Sequence, residues 1–535
     1  MQWVSLIAAL VLLDVAVTFD NLWPTPAVTW HGGISVEVAV AVFVIVLAAL
    51  ARGRSSSKLL SAFSIVWIVL AIGRYADVTS PALYGRDINL YWDLRFIPDV
   101  VHMVTRVAAA WIVLASITAV AAVVVILYRL FRWAFDRIGA AAADAQVRRT
   151  LMPLCLSLMV FFAAHQAGFN TIGRAFSAPV VETYARQIAL VIDAKRGSKS
   201  LPASPTLDSD LSRVNGADVF IVFIESYGAV GFQRPEIASR LELVRSRFAA
   251  DISDTRRRVV SAFATSPTFG GSSWLAHISL LSGIEVRGPD MNAKLMTAQR
   301  DTLVRAFGRH GFRTVGLMPG LKQNWPEGAF YGFEDIYGAD RLAYRGPEFG
   351  WFAIPDQFSL DRIDALEVNR SPRRPLFVFF PTISTHFPFS PTPPYQPDWR
   401  RMTDPKPYDG PDIVKAYARQ PDWTDFGPGY VDAMTYDFAC LGGFLRKEPN
   451  RDFVMVLLGD HQPAAAVSGE GASWNVPVHV VASRSAVLDR LRDHGFRDGL
   501  VPDAAALGGI HELLPILLDA FGDKINAEHA ERAEK

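Results

Sequence analysis

The stretch Val219-Phe-Ile-Val-Phe-Ile-Glu-Ser226 decides the reading of this chain. Its apolar run shows no two-residue alternation, so both faces of the strand it forms must be covered, as in the parallel sheets of α/β domains. The run ends abruptly at Glu225, at the carboxyl end of the strand, where such sheets place their chemistry. An acid after a core strand is also an ordinary loop residue, so Glu225 takes its meaning from partners elsewhere.

Around this stretch, apolar runs alternate with helical patterns. Val219 to Ile224, Thr314 to Met318, Leu376 to Phe380, Phe453 to Leu458 and Val478 to Ala482 read as strands. Glu236 to Ala250, Thr302 to His310, Tyr430 to Arg446 and Ala486 to His494 read as helices. That alternation predicts one α/β domain over residues 216–522 with a largely parallel sheet. A charged tail, residues 523–535, follows it. Residues 169–215 read as a juxtamembrane piece: an apolar-periodic helix around Val180 to Ala194, suited to a bilayer surface, then the Ser/Pro-rich linker SKSLPASPTLDSD.

Residues 1–168 are of a different kind. Half of the 535-residue chain is apolar, its mean hydropathy is +0.20, and the excess lies in five blocks: Met1 to Thr18, Ile34 to Ala51, Leu59 to Gly73, Val101 to Tyr128 and Leu151 to Ala164. About 20 apolar residues cross a bilayer; the second and fourth blocks suit that, the third and fifth are short. Asp14 and the lack of a basic start argue against a cleaved leader in the first. Arg52, Arg54 and Lys58 lie in one loop, and Arg129, Arg132, Arg137, Arg148 and Arg149 in another. With both basic loops cytoplasmic, five spans put the N-terminus inside and everything after Ala164 outside. Asp14, Glu37 and Arg106 lie within apolar blocks; Glu37 and Arg106 are near span ends and can reach the interface, whereas Asp14 has no such account. Cys155 and Cys440 are the only cysteines, too few for a disulfide framework. Equal counts of 53 basic and 53 acidic residues leave no electrostatic footprint for nucleic acid.

Three further stretches are candidates to meet Glu225. In Phe269-Gly-Gly-Ser-Ser-Trp-Leu-Ala-His-Ile-Ser-Leu-Leu-Ser-Gly283, two serines precede an apolar helical pattern. A serine there caps the helix through its hydroxyl, or serves as a nucleophile where a helix N-terminus favours anions. Phe453-Val-Met-Val-Leu-Leu-Gly-Asp-His-Gln-Pro463 is a second buried strand running into Asp460 and His461, a hard and a borderline ligand that suit Mn²⁺ or Zn²⁺ better than Mg²⁺. In Leu376-Phe-Val-Phe-Phe-Pro-Thr-Ile-Ser-Thr-His-Phe-Pro-Phe389, His386 follows a strand amid aromatics. It is a structural histidine or a phosphate contact.

In this order, strand-Glu-Ser, Gly-x-Ser, strand-loop-His-Phe-Pro and Gly-Asp-His resemble the alkaline phosphatase/sulfatase superfamily, above all its membrane branch of lipoteichoic acid synthases and periplasmic phosphoglycerol transferases. The resemblance covers nearly the whole chain, since that branch joins five membrane spans to an external catalytic domain. It implies that Glu225, Ser273, Asp460 and His461 hold one divalent metal, Mn²⁺ foremost, with Zn²⁺ or Mg²⁺ as alternatives. It further implies that Ser273, with Ser272 as the alternative, is the nucleophile, and that His386 contacts the substrate phosphate or donates a proton. Trp325 matches a pocket-wall residue of the lipoteichoic acid synthases. Two features depart from the branch: serine replaces its nucleophilic threonine, and Glu327 stands where a head-group arginine is expected. No complete second set of Asp and His ligands is present, which favours one metal.

The implied function is transfer of a phosphorylated head group, phosphoglycerol foremost, from a membrane phospholipid through a phosphoserine to an envelope glycan or lipid, in a bacterial inner membrane with the catalytic domain outside. Phosphoethanolamine transfer, phosphodiester hydrolysis and a catalytically silent scaffold are the competing readings. A sulfatase is a further rival, although Ser273-Trp-Leu-Ala-His277 lacks the Pro and Arg of the sulfatase maturation motif. His277 reads as packed or lining the pocket, His479 as a strand residue or, alternatively, a support to one of the metal-holding residues, and Tyr430 to Asp437 as packing.

Overall fold

The computed structural model describes residues 2–94, 97, 110–167, 175–196, 201–322, 325 and 328–523. The chain forms two compact units, Met1–Ser198 and Lys199–Lys535.

In the first unit each apolar block carries a helix: Gln2–Thr18, Val36–Arg52, Ser57–Tyr84, Ala110–Ala143 and Ala145–Gln166. Among the described residues, the last three are long and apolar enough to cross a membrane, while the first two have 17 residues each. The third block extends well past Gly73 because Arg74, only 6% exposed, is satisfied: it donates to Phe19 O and Asp20 Oδ1, each at 2.6 Å. Asp14 finds its role here, accepting from Ser35 N at 2.8 Å just before the second helix. Glu37 accepts from Ser35 Oγ (2.7 Å) and from Val180 N (2.6 Å). It thereby places a carboxylate at the N-terminus of the helix Val180–Arg196, where the free amides favour negative charge. That helix leaves Val181, Ile188 and Ile192 exposed along one side. Arg106, in the fourth block, lies outside the described residues.

The second unit is built on a nine-stranded sheet. Its strands are β1 (Asp218–Ile224), β2 (Arg258–Thr265), β3 (Arg313–Met318), β4 (Asp335–Gly338), β5 (Leu376–Pro381), β6 (Phe453–Gly459), β7 (Asn475–Ala482), β8 (Arg497–Asp498) and β9 (Ala506–Gly509). The order is β8-β2-β7-β6-β1-β5-β3-β4, with β9 beside β2. β1 is central and wholly buried. Phe220, Val222 and Ile224 enter the core on one face, and Val219, Ile221 and Phe223 the core on the other. This two-sided burial explains the unalternating run, each such side chain stabilising the fold by about 1.5–3 kcal/mol.

The sheet is mixed: most of its pairings are parallel, as expected, and the antiparallel ones lie toward one edge. β6, β1, β5, β3 and β4 pair in parallel, whereas β7 runs antiparallel to both β6 and β2. A parallel return needs a crossover, usually a full helix. The β6–β7 connection holds only the one-turn helix Ala465–Ser468, so the chain comes back reversed. Leu207, within the stretch read as linker, and Leu211 and Val214, just after it, are buried in this unit's core.

Candidate metal centre

The register of the central strands assembles the site. β6 pairs with β1 so that Ile224 lies opposite Gly459, which sets the next residues, Glu225 and Asp460, side by side. β5 flanks β1 on its other edge with Phe223 opposite Pro381, and Thr382 N donates to Phe223 O at 2.8 Å. The carboxyl ends of three neighbouring parallel strands thus carry Glu225, Asp460–His461 and the His386 loop, as open α/β sheets favour.

The turns after β1 and β6 nest closely. A Cβ on Gly459 would lie 1.8 Å from Tyr227 O, and one on Gly228 would lie 1.9 Å from Gln462 Oε1. Only glycine lets the two turns meet. Ser226 N and His461 N both donate to Asp460 Oδ1, at 2.8 and 2.7 Å. The Glu225 turn is held from behind as well: Thr385 Oγ1 donates to Glu225 O (2.6 Å) and Tyr430 Oη to Ser226 O (3.1 Å).

Ser273 reaches this cluster from the helix Trp274–Ser282, which packs in the core on the Phe223 side. Positive φ values at Gly270, Gly271 and Ser272 turn the chain into that helix, and Gly270 N donates to Gln462 O, tying this loop to the His461 turn. Ser273 makes no side-chain cap bond to the helix amides. Its Oγ instead donates to Glu225 Oε2 at 2.9 Å and lies 3.2 Å from His461 Nε2. Ser272 Oγ makes no hydrogen bond to the cluster among the described residues.

Glu225, Asp460 and His461 are buried, and their ligand atoms all lie within 4.8 Å of one another. His461 Nδ1 is 2.7 Å from Gln462 O, which fixes it as the donor and turns Nε2 toward the carboxylates. Burial would raise the Glu225 carboxyl, but the neighbouring His461 imidazolium holds it below the usual range. Burial and the Glu225 charge push Asp460 up to about 8. Burial opposes protonation of His461, yet Asp460 and Glu225 raise it to about 9. Two carboxylates this close, with an imidazole and a hydroxyl, are a donor set of hard oxygens and one borderline nitrogen. A divalent cation would cancel the repulsion that now raises Asp460, so the residues fit one metal ion.

The other candidates lie around this core. His386 Nδ1 is bonded to Phe387 O at 2.7 Å, the ring stacks on Trp351 (6.0 Å between centroids), and it acts electrostatically on Glu225. Trp325 packs on Tyr331 and over Gly328, and no hydrogen bond joins it to the four central residues among those described. Glu327 lies outside the described residues. His277 sits against Phe223 and Phe379, its Nε2 buried without a partner, and burial lowers its pKa to about 3. His479 bridges Tyr227 Oη (3.0 Å) and Ser261 Oγ (2.6 Å) behind the Glu225 turn. Sequence reasoning missed the supports Thr382, Thr385 and the Tyr430 hydroxyl. The one available signal was a Thr-x-x-Thr directly after a buried strand.

The arrangement is a centre suited to one cation and one hydroxyl at the strand ends of a mixed α/β sheet. Residues 279–479, within the second unit, match the Sulfatase family model. The match includes His386, Asp460 and His461, while Glu225 and Ser273 precede it. No curated protein matches the chain. Among solved structures it is similar to lipoteichoic acid synthase LtaP from Listeria monocytogenes, at 14% identity over 63% of this chain and 78% of that one, with a TM-score of 0.40. It is also similar to phosphoglycerol transferase GacH from Streptococcus pyogenes, at 13% identity, 65% and 83% coverage and a TM-score of 0.37. A third similarity is to the C-terminal periplasmic domain of EptC from Escherichia coli, at 14% identity, 60% and 86% coverage and a TM-score of 0.39.

Proposed function

We propose that this protein is a metal-dependent transferase that moves a phosphorylated head group, phosphoglycerol foremost, from a membrane phospholipid to an acceptor hydroxyl on an envelope glycan or lipid. The five N-terminal helices are taken as spans of a bacterial inner membrane, with the N-terminus inside and the sulfatase-like domain outside. One observation carries the reading: Ser273 Oγ forgoes its helix cap for contacts with Glu225 and His461.

Glu225, Ser273, Asp460 and His461 would hold the cation, with Mn²⁺ the expected ion and Zn²⁺ the alternative. When bound, it lowers the pKa of the hydroxyl and offsets charge on the phosphoryl oxygens. Ser273 Oγ, oriented by its hydrogen-bond acceptor Glu225, releases its proton to solvent and forms a bond to phosphorus as the bond from phosphorus to the diacylglycerol oxygen breaks. His386 delivers the proton to the departing oxygen. An acceptor hydroxyl then attacks the phosphoserine diester, restoring Ser273. Trp325 walls the head-group pocket.

The test is to incubate the full-length protein in nanodiscs and Mn²⁺ with labelled phosphatidylglycerol and phosphatidylethanolamine in turn, reading diacylglycerol release and adduct mass on the Ser273 peptide. The reading expects an adduct from one lipid and its loss in Ser273→Ala. Turnover persisting in both Ser273→Ala and Ser272→Ala would overturn it, and head-group release to water alone would make the enzyme a phosphodiesterase.

A further inference from the structure

Behind the metal centre lies a second pair of acids that the proposed chemistry does not use. Asp356 opens the helix Asp356–Ile363, and Asp437 lies in the middle of the helix Gly427–Lys447. Both are 1% exposed, their helices pack against each other, and Gln357 N, next to Asp356, donates to the hydroxyl of Tyr436, next to Asp437, at 3.3 Å; the two carboxyl groups act on each other electrostatically. Asp356 is richly satisfied: Ile383 N donates to Oδ1 and Oδ2 at 3.0 and 3.1 Å, and Ser384 N to Oδ2 at 2.6 Å. Asp437 is not: neither of its oxygens accepts a hydrogen bond of ordinary length and angle. It faces Asp356 and the hydroxyl of Thr382.

Two buried carboxyl groups that each raise the cost of ionising the other do not both stay ionised. Glu225, Tyr436 and Cys440 also act on the pair, with Tyr408 beside them, and each is negative when ionised. One proton on the pair resolves the conflict and also gives the bare Asp437 oxygen a partner. The amide bonds identify Asp356 as the anion and therefore Asp437 as the acid. Burial raises both groups, Asp356 to about 6 and Asp437 further.

The pair touches what holds the site. Thr382 Oγ1, beside Asp437, accepts from Glu225 N at 3.1 Å. The amides bound by Asp356 belong to Ile383 and Ser384, next to Thr385, which donates to Glu225 O, and two residues before His386. We propose that Asp356 and Asp437 share a single proton, and that this neutral-plus-anionic pair is a positioning device fixing the Thr382–His386 loop and, through it, the backbone of Glu225. The positioning role rests on the metal-centre reading above, whereas the shared proton does not.

The sign of the pH effect follows. Above about pH 4 an unfolded aspartate has lost its proton while the folded pair keeps one, so the pair's contribution to stability falls as pH rises. Asparagine at 437 would mimic the neutral acid, donating an N–H to Asp356 while its oxygen faces Thr382, and it cannot ionise. Asparagine at 356 cannot replace the anion and presents an NH₂ to amide donors.

The test uses infrared spectroscopy of the full-length protein in nanodiscs with ¹³C-carboxyl-labelled aspartate, together with turnover of phosphatidylglycerol by Asp437→Asn and Asp356→Asn. In an Asp460→Asn background, which removes the other aspartate raised at the site, we expect an isotope-sensitive carboxylic-acid carbonyl band at neutral pH that disappears when Asp437→Asn is added. We further expect Asp437→Asn to keep turnover within threefold of wild type and to lose part of the alkaline decline, and Asp356→Asn to lose at least thirtyfold in kcat with little change in KM. Absence of the band overturns the shared proton, and equal losses in the two variants overturn the positioning asymmetry. Should neither variant fold, the band in the labelled Asp460→Asn protein, followed from neutral to alkaline pH, decides the matter. Should the wild type turn over no lipid, the functional reading fails while the band still tests the pair.

Discussion

Replacing Gly459 by alanine tests whether the nested turns build the metal centre. The new Cβ would lie 1.8 Å from Tyr227 O and 2.8 Å from Tyr227 C. An ordinary C···O contact is about 3.3 Å, so the two turns must part by roughly 1.5 Å. No flexible side chain can absorb this, because the obstacle is backbone. Tyr227 is itself pinned, its N donating to Ile224 O (3.2 Å) and its hydroxyl lying 3.0 Å from His479. The displacement therefore falls between Glu225 on one turn and Asp460 and His461 on the other. Misplacing reacting groups by about 1 Å costs ~100-fold in rate, and overpacking of this kind costs about 1–3 kcal/mol of stability. The expected result is a Mn²⁺ affinity at least tenfold weaker, turnover down about 100-fold and a lowered Tm, measured by metal titration, lipid turnover and thermal unfolding of the full-length protein. Gly410→Ala is the control, since its Cβ would meet nothing within 4 Å. A Gly459→Ala protein with metal affinity and turnover within twofold of wild type would refute the nesting argument.

Three other outcomes can be checked. Chelation should lower Tm and abolish turnover, with Mn²⁺ or Zn²⁺ restoring both, since saturation at 100 times Kd stabilises by about 2.7 kcal/mol; a Tm indifferent to every divalent ion counts against the metal centre. At the other end of β1, Arg373 grips Asp218 through Nη1 (2.7 Å) and Nη2 (2.5 Å), the aspartate being 3% exposed. Asp218→Ala strands the guanidinium and should cost about 3–5 kcal/mol with turnover per folded molecule unchanged; an unaltered urea midpoint would contradict this. Burial lowers His479 to about 3, so as pH falls from about 6.5 the unfolded chain takes up a proton that the folded one refuses, and stability drops. In His479→Gln that component vanishes, so the stability difference from wild type should shift in the variant's favour by about 1.4 kcal/mol per pH unit on acidification; a pH-independent difference in urea unfolding would exclude it.

What the sequence discloses of this molecule depends on whether the relevant interaction is local. β1 and β6 are legible because two-sided burial demands an uninterrupted apolar run, and Glu225 and Asp460–His461 stand out because each breaks such a run where a strand must end. β2 escapes notice: Ser261, Ala262 and Ala264 thin its apolar character, and Ser261 is there to bond His479, a partner 218 residues away. The reversal of β7 is equally hidden, being set by the length of a connection and not by the composition of the strand. Ser273 is ambiguous for a physical reason. A capping serine and a nucleophilic serine occupy the same position at a helix start, and only the direction of Oγ separates them. Asp14 and Glu37 look costly in isolation because their partners, Ser35 N and Val180 N, lie 21 and 143 residues away. Asp356 and Asp437 are the extreme case. Each occupies a helix where a single acid normally marks the solvated face, and no local pattern says that the two faces meet. Such groups persist inside a protein only when what they position outweighs the cost of burying them, and the loop they hold is the one that carries His386 and braces Glu225.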